Sequence, residues 1–467
     1  MNQFILSDTL SRIDKLFLDQ YEVGMEESRN RRAQNGFHML VGDDVKTSYG
    51  LQLALLTAVN LGVKCFATEA IIQASSEVWL APCLVPLVKS VTLGEAVAEL
   101  GGRPVVWTGA LPISRFLILG DAQDGENAIR ITYDGWRIKV GPTNQVERMA
   151  ERPYCPLASI AAAAIAVGEV FAEFAKISIT ASRRIVALSL WRPDLSLDHP
   201  DGIGEHISEL PLSLGTFGLG HLGQAYLWCL AALPYSARHE VRILLCDDDV
   251  VENVNIETGA LLKAGDGTHL KTRVAAEWLE ARGFATRLLE RRIDENFRRT
   301  STEPVIALSG FDDNLPRHWL SQAGFEAMFD SGLGGEAHNF DTISFHGWPN
   351  PRSQSEIWPQ ESDRELAARE TRKKHLIAKN SAYRKFDADE CGRVLIAGKS
   401  VAVPFVGAVA SCIVMSEMLK SVNGGPVFSD LKLRLCSSGV IKFDGRLESE
   451  GASPIRGLAT QKSLELS

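Results

Sequence analysis

The stretch Gly218-Leu219-Gly220-His221-Leu222-Gly223 restricts the fold more than any other part of the chain. It follows the strand-like run "LPLSLGTF" and precedes the helix-like run "QAYLWCLAAL". Glycines at this spacing between a strand and a helix predict a tight strand-to-helix turn. Gly218 and Gly220 let backbone approach an anion, and Gly223 lets the helix press on the sheet. The first helical turn offers unpaired N–H groups and the positive end of its dipole.

The surrounding pattern extends that unit into a domain. "EVRILLCDDD" and "PVIALSG" read as strands, and "THLKTRVAAEWLEARG" and "HWLSQAGFEAM" as helices. Such alternation predicts an α/β fold with a parallel sheet covered on both faces. A second alternating run goes from "FHMLVGDD" to about Ala175, with "YGLQLALLTAVNLG" read as a helix stopped by Gly62. The two runs share an echo: "CPLASIAAAAIAVGEVF" and "VPFVGAVASCIVMSEML". Glu169 lies 13 positions after Pro156, and Glu417 lies 13 after Pro404. Each echo falls late in its own run, which points to two Rossmann-like domains in tandem, packed as a pseudo-dimer. The expected boundaries are a helical arm (1–36), a degenerate domain (37–177), a Pro- and Asp-rich linker (178–210) and an active domain (211–467). Within the last, the charged excursion 347–400 crosses over the domain.

Composition narrows the partners. The 467 residues carry 49 Lys and Arg against 58 Asp and Glu, a net charge of −9, which disfavours nucleic acid as the main partner. No apolar run reaches ~18 residues, so no membrane span is expected. The N-terminus lacks the basic start and apolar stretch of a secretory signal. Eight scattered cysteines form no C-x-x-C, which suggests a reducing cytoplasm and mostly packed thiols.

The chemistry-bearing residues come in a fixed order. Asp247, Asp248 and Asp249 end the strand after the glycine turn, where an acid takes ribose hydroxyls in nucleotide folds. The chain continues as Asp247-x-Asp249-x-Val251-Glu252-x-x-Asn255, and Lys271 heads the next helix. A later strand runs into Asp312, Asp313, Asn314 and Arg317. This series resembles the adenylyltransferases that activate ubiquitin-like proteins, over about residues 205–445. These include the ubiquitin-activating enzymes and the bacterial enzymes of thiamine and molybdopterin synthesis. The resemblance implies ATP as ligand, with Gly218, Gly220, Gly223, Asp247, Asp249, Asn255 and Lys271 around it. It implies Asp312 on Mg²⁺, and Lys271 and Arg317 in catalysis. A lysine, a helix N-terminus and Mg²⁺ neutralise charge when a carboxylate attacks the α-phosphate.

One position departs from that pattern. Relatives carry an arginine where Thr258 stands, and some send an arginine across from the paired domain. "EESRNRRAQNG" offers Arg29, Arg31 and Arg32, with Arg31 as the expected contact. Cys391 occupies the place of the family's catalytic cysteine, in a polar loop before a Pro-started helix. The implied function is adenylation of a carrier's C-terminal glycine, thioester formation on Cys391 and transfer to a conjugating enzyme. Alternatives are a sulfur-carrier or tRNA-modifying adenylyltransferase, an NAD-dependent oxidoreductase and a non-catalytic scaffold. "LVGDDVKTSYG" in the first copy lacks the glycine motif, so that copy is expected to brace the second.

Overall fold

The computed structural model describes residues 11–112, 114–360, 362–385, 397–436, 446–447 and 455–466. The first sheet contains β1 (Phe37–Val41), β2 (Ala70–Ala74), β3 (Gly102–Val106), β4 (Phe116–Leu119), β5 (Ala128–Asp134), β6 (Arg137–Pro142) and β7 (Val186–Ser189). Its order is β3-β2-β1-β4-β5-β6-β7, parallel from β3 to β5 and antiparallel beyond. A short strand, β8 (Glu209–Pro211), leads into the second sheet. That sheet contains β9 (Ser213–Phe217), β10 (Arg242–Cys246), β11 (Ala285–Leu289), β12 (Ile306–Ser309), β13 (Ala327–Leu333), β14 (Thr342–Trp348), β15 (Phe428–Arg434) and β16 (Arg446–Leu447). Its order is β11-β10-β9-β12-β13-β14-β15-β16, again parallel through β13 and antiparallel beyond. The first seven strands of this sheet repeat the first sheet strand for strand. β17 (Thr460–Lys462) returns to pair with β8. The expected pair of Rossmann-like domains is therefore present.

Four helices form the seam between the copies. Helix Tyr49–Phe66 follows β1, and its counterpart His221–Ala231 follows β9. The echoed helices Pro156–Phe174 and Pro404–Asn423 both begin on proline, whose fixed φ suits the first helical position. They pack on each other, and each packs on its own copy's other seam helix. The echoed glutamates do the same job twice. Glu169 accepts the Ser182 N–H at 2.9 Å and pairs with Arg184 at 2.6 Å. Glu417 accepts the Phe428 N–H at 2.9 Å and pairs with Lys420 at 2.6 Å. Each ties its helix to the chain returning to the sheet. One continuous apolar core runs through both copies.

Several expectations need correction. Gly62 does not stop its helix, which continues to Phe66. It is a packing residue, since a Cβ there would lie 2.7 Å from the Phe37 ring. The linker does not begin at 178, because β7 belongs to the first sheet and buries Val186 and Leu188. Helices Tyr49–Phe66, Pro156–Phe174 and Pro404–Asn423 are long and apolar enough to cross a membrane, contrary to the expectation from run length. Their most apolar windows are 83%, 89% and 94% buried within the protein, so the seam accounts for that apolar surface. The N-terminal arm is a packed element. Helix Asp14–Tyr21 buries Leu16, Phe17 and Leu18, and helix Met25–Asn35 packs on it. The crossover helices Asp363–Lys379 and Ser381–Lys385 lie on this arm. Tyr383 bonds Asp19 at 2.8 Å, and Asn380 bonds the Leu18 carbonyl at 2.7 Å.

Candidate functional site

The strand order of the second sheet reverses between β9 and β12. In open α/β sheets the crevice outside the carboxyl ends of such a pair accepts ligands. The glycine turn leaves β9 there, and Gly310 to Asn314 leaves β12. Gly218 has φ +81°, and a Cβ on it would lie 2.9 Å from the Gly310 carbonyl carbon. A Cβ on Gly223 would lie 1.9 Å from the Gly218 oxygen. These glycines close the two turns on one another. Gly220 differs: a Cβ there has nothing within 4 Å. Packing does not require glycine at 220, and the space beside that backbone is open at a helix N-terminus, the chemistry of an anion cradle.

Asp247 ends β10 beneath this turn. Its carboxylate accepts the Leu219 N–H at 2.6 Å and the Asp249 N–H at 2.8 Å. Burial raises its pKa, and Lys271 opposes the rise. Lys271 Nζ lies 2.6 Å from Asp249 and 3.9 Å from Asp247. The backbone N–H of Lys271 also bonds the Asp249 carbonyl at 3.0 Å, which holds strand end and helix head together. Gly218, Gly220, Gly223, Asp247, Asp249 and Lys271 thus share one crevice. Asn255 stands in the next turn, where its Oδ1 accepts the Glu252 N–H at 2.9 Å in a reciprocal cap.

Thr258 turns away from an arginine's role. It is buried and lines a cavity between the copies with His221, Asn60 and Thr57. His221 Nε2 is buried there with no hydrogen-bond partner among the described residues. Burial, aided by the charge of Arg12, lowers the His221 pKa to about 3 and keeps the ring neutral.

The arm's arginine whose charge reaches Asp312 is Arg12, not the expected Arg31. Arg12 Nε donates to the Ser400 carbonyl at 3.0 Å. Burial lowers its pKa against the pull of the Asp312 carboxylate, so its charge is felt at both Asp312 and His221. Arg31 sits on the solvent face of its helix and pairs with Glu27 one turn earlier, at 2.5 Å. Arg32 is fully buried between Asp14 at 2.9 Å and Glu257 at 3.2 Å. Nothing in the spacing of "SRIDK" singles out Arg12; the fold alone brings it here.

Arg317 is also corrected. It is buried, donates to the carbonyls of Phe311 and Ser331 at 3.1 Å each, and pairs with Asp330 at 3.3 Å. Trp358 Nε1 takes the other Asp330 oxygen at 3.0 Å. Arg317 therefore positions the turn after β12 and does not face the crevice. Asp312 in that turn is exposed. Cys391 and its neighbour Arg393 lie outside the described residues. Of the seven other cysteines, six are buried and Cys83 is half-buried. Burial pushes up the thiols of Cys65, Cys83, Cys155, Cys412 and Cys436, and that of Cys246 to about 12.

The same point of the first copy is closed. Asp44 Oδ1 accepts the Asp121 N–H at 3.1 Å, and Arg148 pairs with Asp44. A Cβ on Gly42 would lie 2.0 Å from Asp121 Oδ1, and one on Gly120 would lie 2.1 Å from Asp44 Oδ1. These carboxylates occupy the place that the second copy leaves open.

Residues 36–190 match the BilD N-terminal domain, and residues 210–425 match the BilD C-terminal domain. The bacterial E1-like protein BilD of Collimonas sp. (strain OK412) is 35% identical over 434 residues, 92% of each chain. The chain belongs to the BilD family of E1-like proteins. Solved structures resemble this BilD-family chain more distantly. E. coli MccB is 16% identical, covering 55% of this chain and 67% of its own, with a TM-score of 0.35. TcdA (CsdL) is 14% identical, covering 45% of this chain and 84% of its own, with a TM-score of 0.29.

Proposed function

We propose that this BilD-family chain is an ATP-dependent activating enzyme for a ubiquitin-like carrier protein. The carrier's C-terminal glycine carboxylate attacks the α-phosphate, the bond between the α- and β-phosphates breaks, and pyrophosphate leaves. The Cys391 thiolate then attacks the acyl carbon, AMP leaves, and the carrier is held as a thioester for a conjugating enzyme. A reducing cytoplasm would keep that thiol available. The observation that carries the reading is the contrast at the two switch points. The second copy keeps an open backbone cradle beside Asp247, and the first fills the same place with Asp44 and Asp121.

In this reading Asp247 holds the ribose. The amides of the glycine turn, Asn255, Lys271 and Arg12 would serve the phosphates, and Asp312 would hold Mg²⁺, which would neutralise charge as pyrophosphate leaves. Arg12 supplies from the first copy the charge that Thr258 does not. The E1-like name of the Collimonas relative supports this chemistry over hydride transfer, which gives Lys271, Asp312 and Cys391 no task. The test is carrier-dependent exchange of pyrophosphate into ATP. Exchange that falls at least tenfold in Lys271→Ala and Asp312→Ala is expected, about 1.4 kcal/mol or more of lost stabilisation. Exchange unaffected by both changes contradicts the site. A Cys391→Ala protein that still forms a reducible carrier adduct removes the thioester step.

A further inference from the structure

Two residues of the N-terminal arm converge on one acidic side chain of the second copy, Glu257. Glu257 lies two positions beyond Asn255, in the turn that departs from the usual pattern. Its two oxygens are divided between two arm residues. One accepts the Ser11 hydroxyl, and the other accepts Arg32 Nη2 at 3.2 Å. Arg32 is wholly buried and held on every side. Its Nε and Nη2 take both oxygens of Asp14, at 2.9 and 3.0 Å, and its Nη1 donates to the carbonyls of Lys64 and Cys65 at 3.1 Å each. Ser28 completes the network on Asp14 at 2.6 Å, and the Asp14 N–H bonds Ser11 Oγ at 3.0 Å.

Residue 11 is thus pinned to the turn after Asn255, and the next residue is Arg12, whose Nε is itself held by the Ser400 carbonyl at 3.0 Å and whose charge reaches Asp312. A long arginine side chain binds a phosphate well only if its base is fixed, because otherwise binding must also order the chain. We propose that Glu257 is a positioning residue. Together with Arg32 and Ser11 it sets the base of Arg12, so that the guanidinium from the first copy meets the phosphates held by the second. The proposal rests on the reading of the crevice as an ATP site. It explains why an acid stands beside Thr258: the turn that lacks its own arginine carries the residue that anchors one from elsewhere.

The test is calorimetric binding of Mg·ATP and of AMP to the full chain, read as the ratio of the two affinities, with the thermal midpoint recorded alongside. AMP lacks the phosphates beyond the first, so the ratio isolates them. Wild type is expected to favour Mg·ATP. Arg12→Ala is expected to lower the ratio about tenfold, the scale of one charge-assisted contact. Glu257→Gln is expected to lower it as much. The double variant is expected to fall no further, and Glu257→Asp to regain part of the loss. A Glu257→Gln ratio within about twofold of wild type, or losses that multiply in the double variant, overturns the positioning role. If Glu257→Gln does not fold, Ser11→Ala carries the same expectation and the same refutation. A wild-type protein with no preference for Mg·ATP overturns the ATP reading itself, which separates the two failures.

Discussion

At the scale of single residues, the glycine turn separates packing from ligand demands. A Cβ on Gly223 would meet the Gly218 oxygen at 1.9 Å, so Gly223→Ala is expected to cost on the order of 3 kcal/mol of stability. A Cβ on Gly220 meets nothing within 4 Å, so Gly220→Ala should leave stability within about 0.5 kcal/mol. It should still weaken Mg·ATP binding about tenfold, because the methyl enters the ligand's space. Thermal unfolding and calorimetry on the two variants decide this, and a ligand-neutral Gly220→Ala would mean that the cradle is not used. His221 gives a pH signature. Its folded pKa is lowered to about 3 by burial, below the ordinary value of 6.5. Between those values the unfolded chain binds the extra proton, so stability falls as pH drops through the window and is regained as pH rises. The slope is at most about 1.4 kcal/mol per pH unit. In His221→Gln that contribution should vanish, which a comparison of unfolding at pH 7 and pH 5 would show.

At the scale of elements, the echoed helices make their own prediction. Glu417 and Lys420 are both buried, and each is the other's counter-charge. Glu417→Gln should leave an unpaired buried ammonium and cost about 3–5 kcal/mol. Glu417→Gln with Lys420→Met should recover most of that loss in an unfolding cycle; two losses that simply add would show the pair to be uncoupled. These elements also mark how far the sequence could be read. The strands, the glycine turn and the duplicated helices were legible because local period and spacing determine them. Asp247 and Lys271 were legible as parts of one ordered series. β7 was missed because the Pro and Asp clusters that follow it masked four apolar-patterned residues. Arg12, Arg32 and Glu257 were not legible. Their contacts join positions 388 and 225 apart, and no spacing rule spans such distances. Arg317 misled because a buried ion pair and a catalytic contact look alike in sequence.

At the scale of the whole molecule, the two copies form one packed unit. The second copy contains the open crevice, but Arg12, Arg32 and Lys64 reach its loops from the first. The seam buries helix Pro156–Phe174 against helix Pro404–Asn423, with Gly168 so close to Phe405 that a Cβ would lie 2.8 Å from the ring. Separating the copies would expose both apolar faces and remove the first-copy cations. A chain cut between Trp191 and Ser208, with both pieces produced together, should therefore assemble into a single species and bind Mg·ATP near wild-type strength. The second piece alone should associate with itself or aggregate, and should bind Mg·ATP at least tenfold more weakly relative to AMP. Sedimentation and calorimetry read the two effects separately. A soluble, monomeric second piece with full Mg·ATP preference would show that the first copy contributes neither seam nor charge, and the division of labour argued from Arg12 would fall with it.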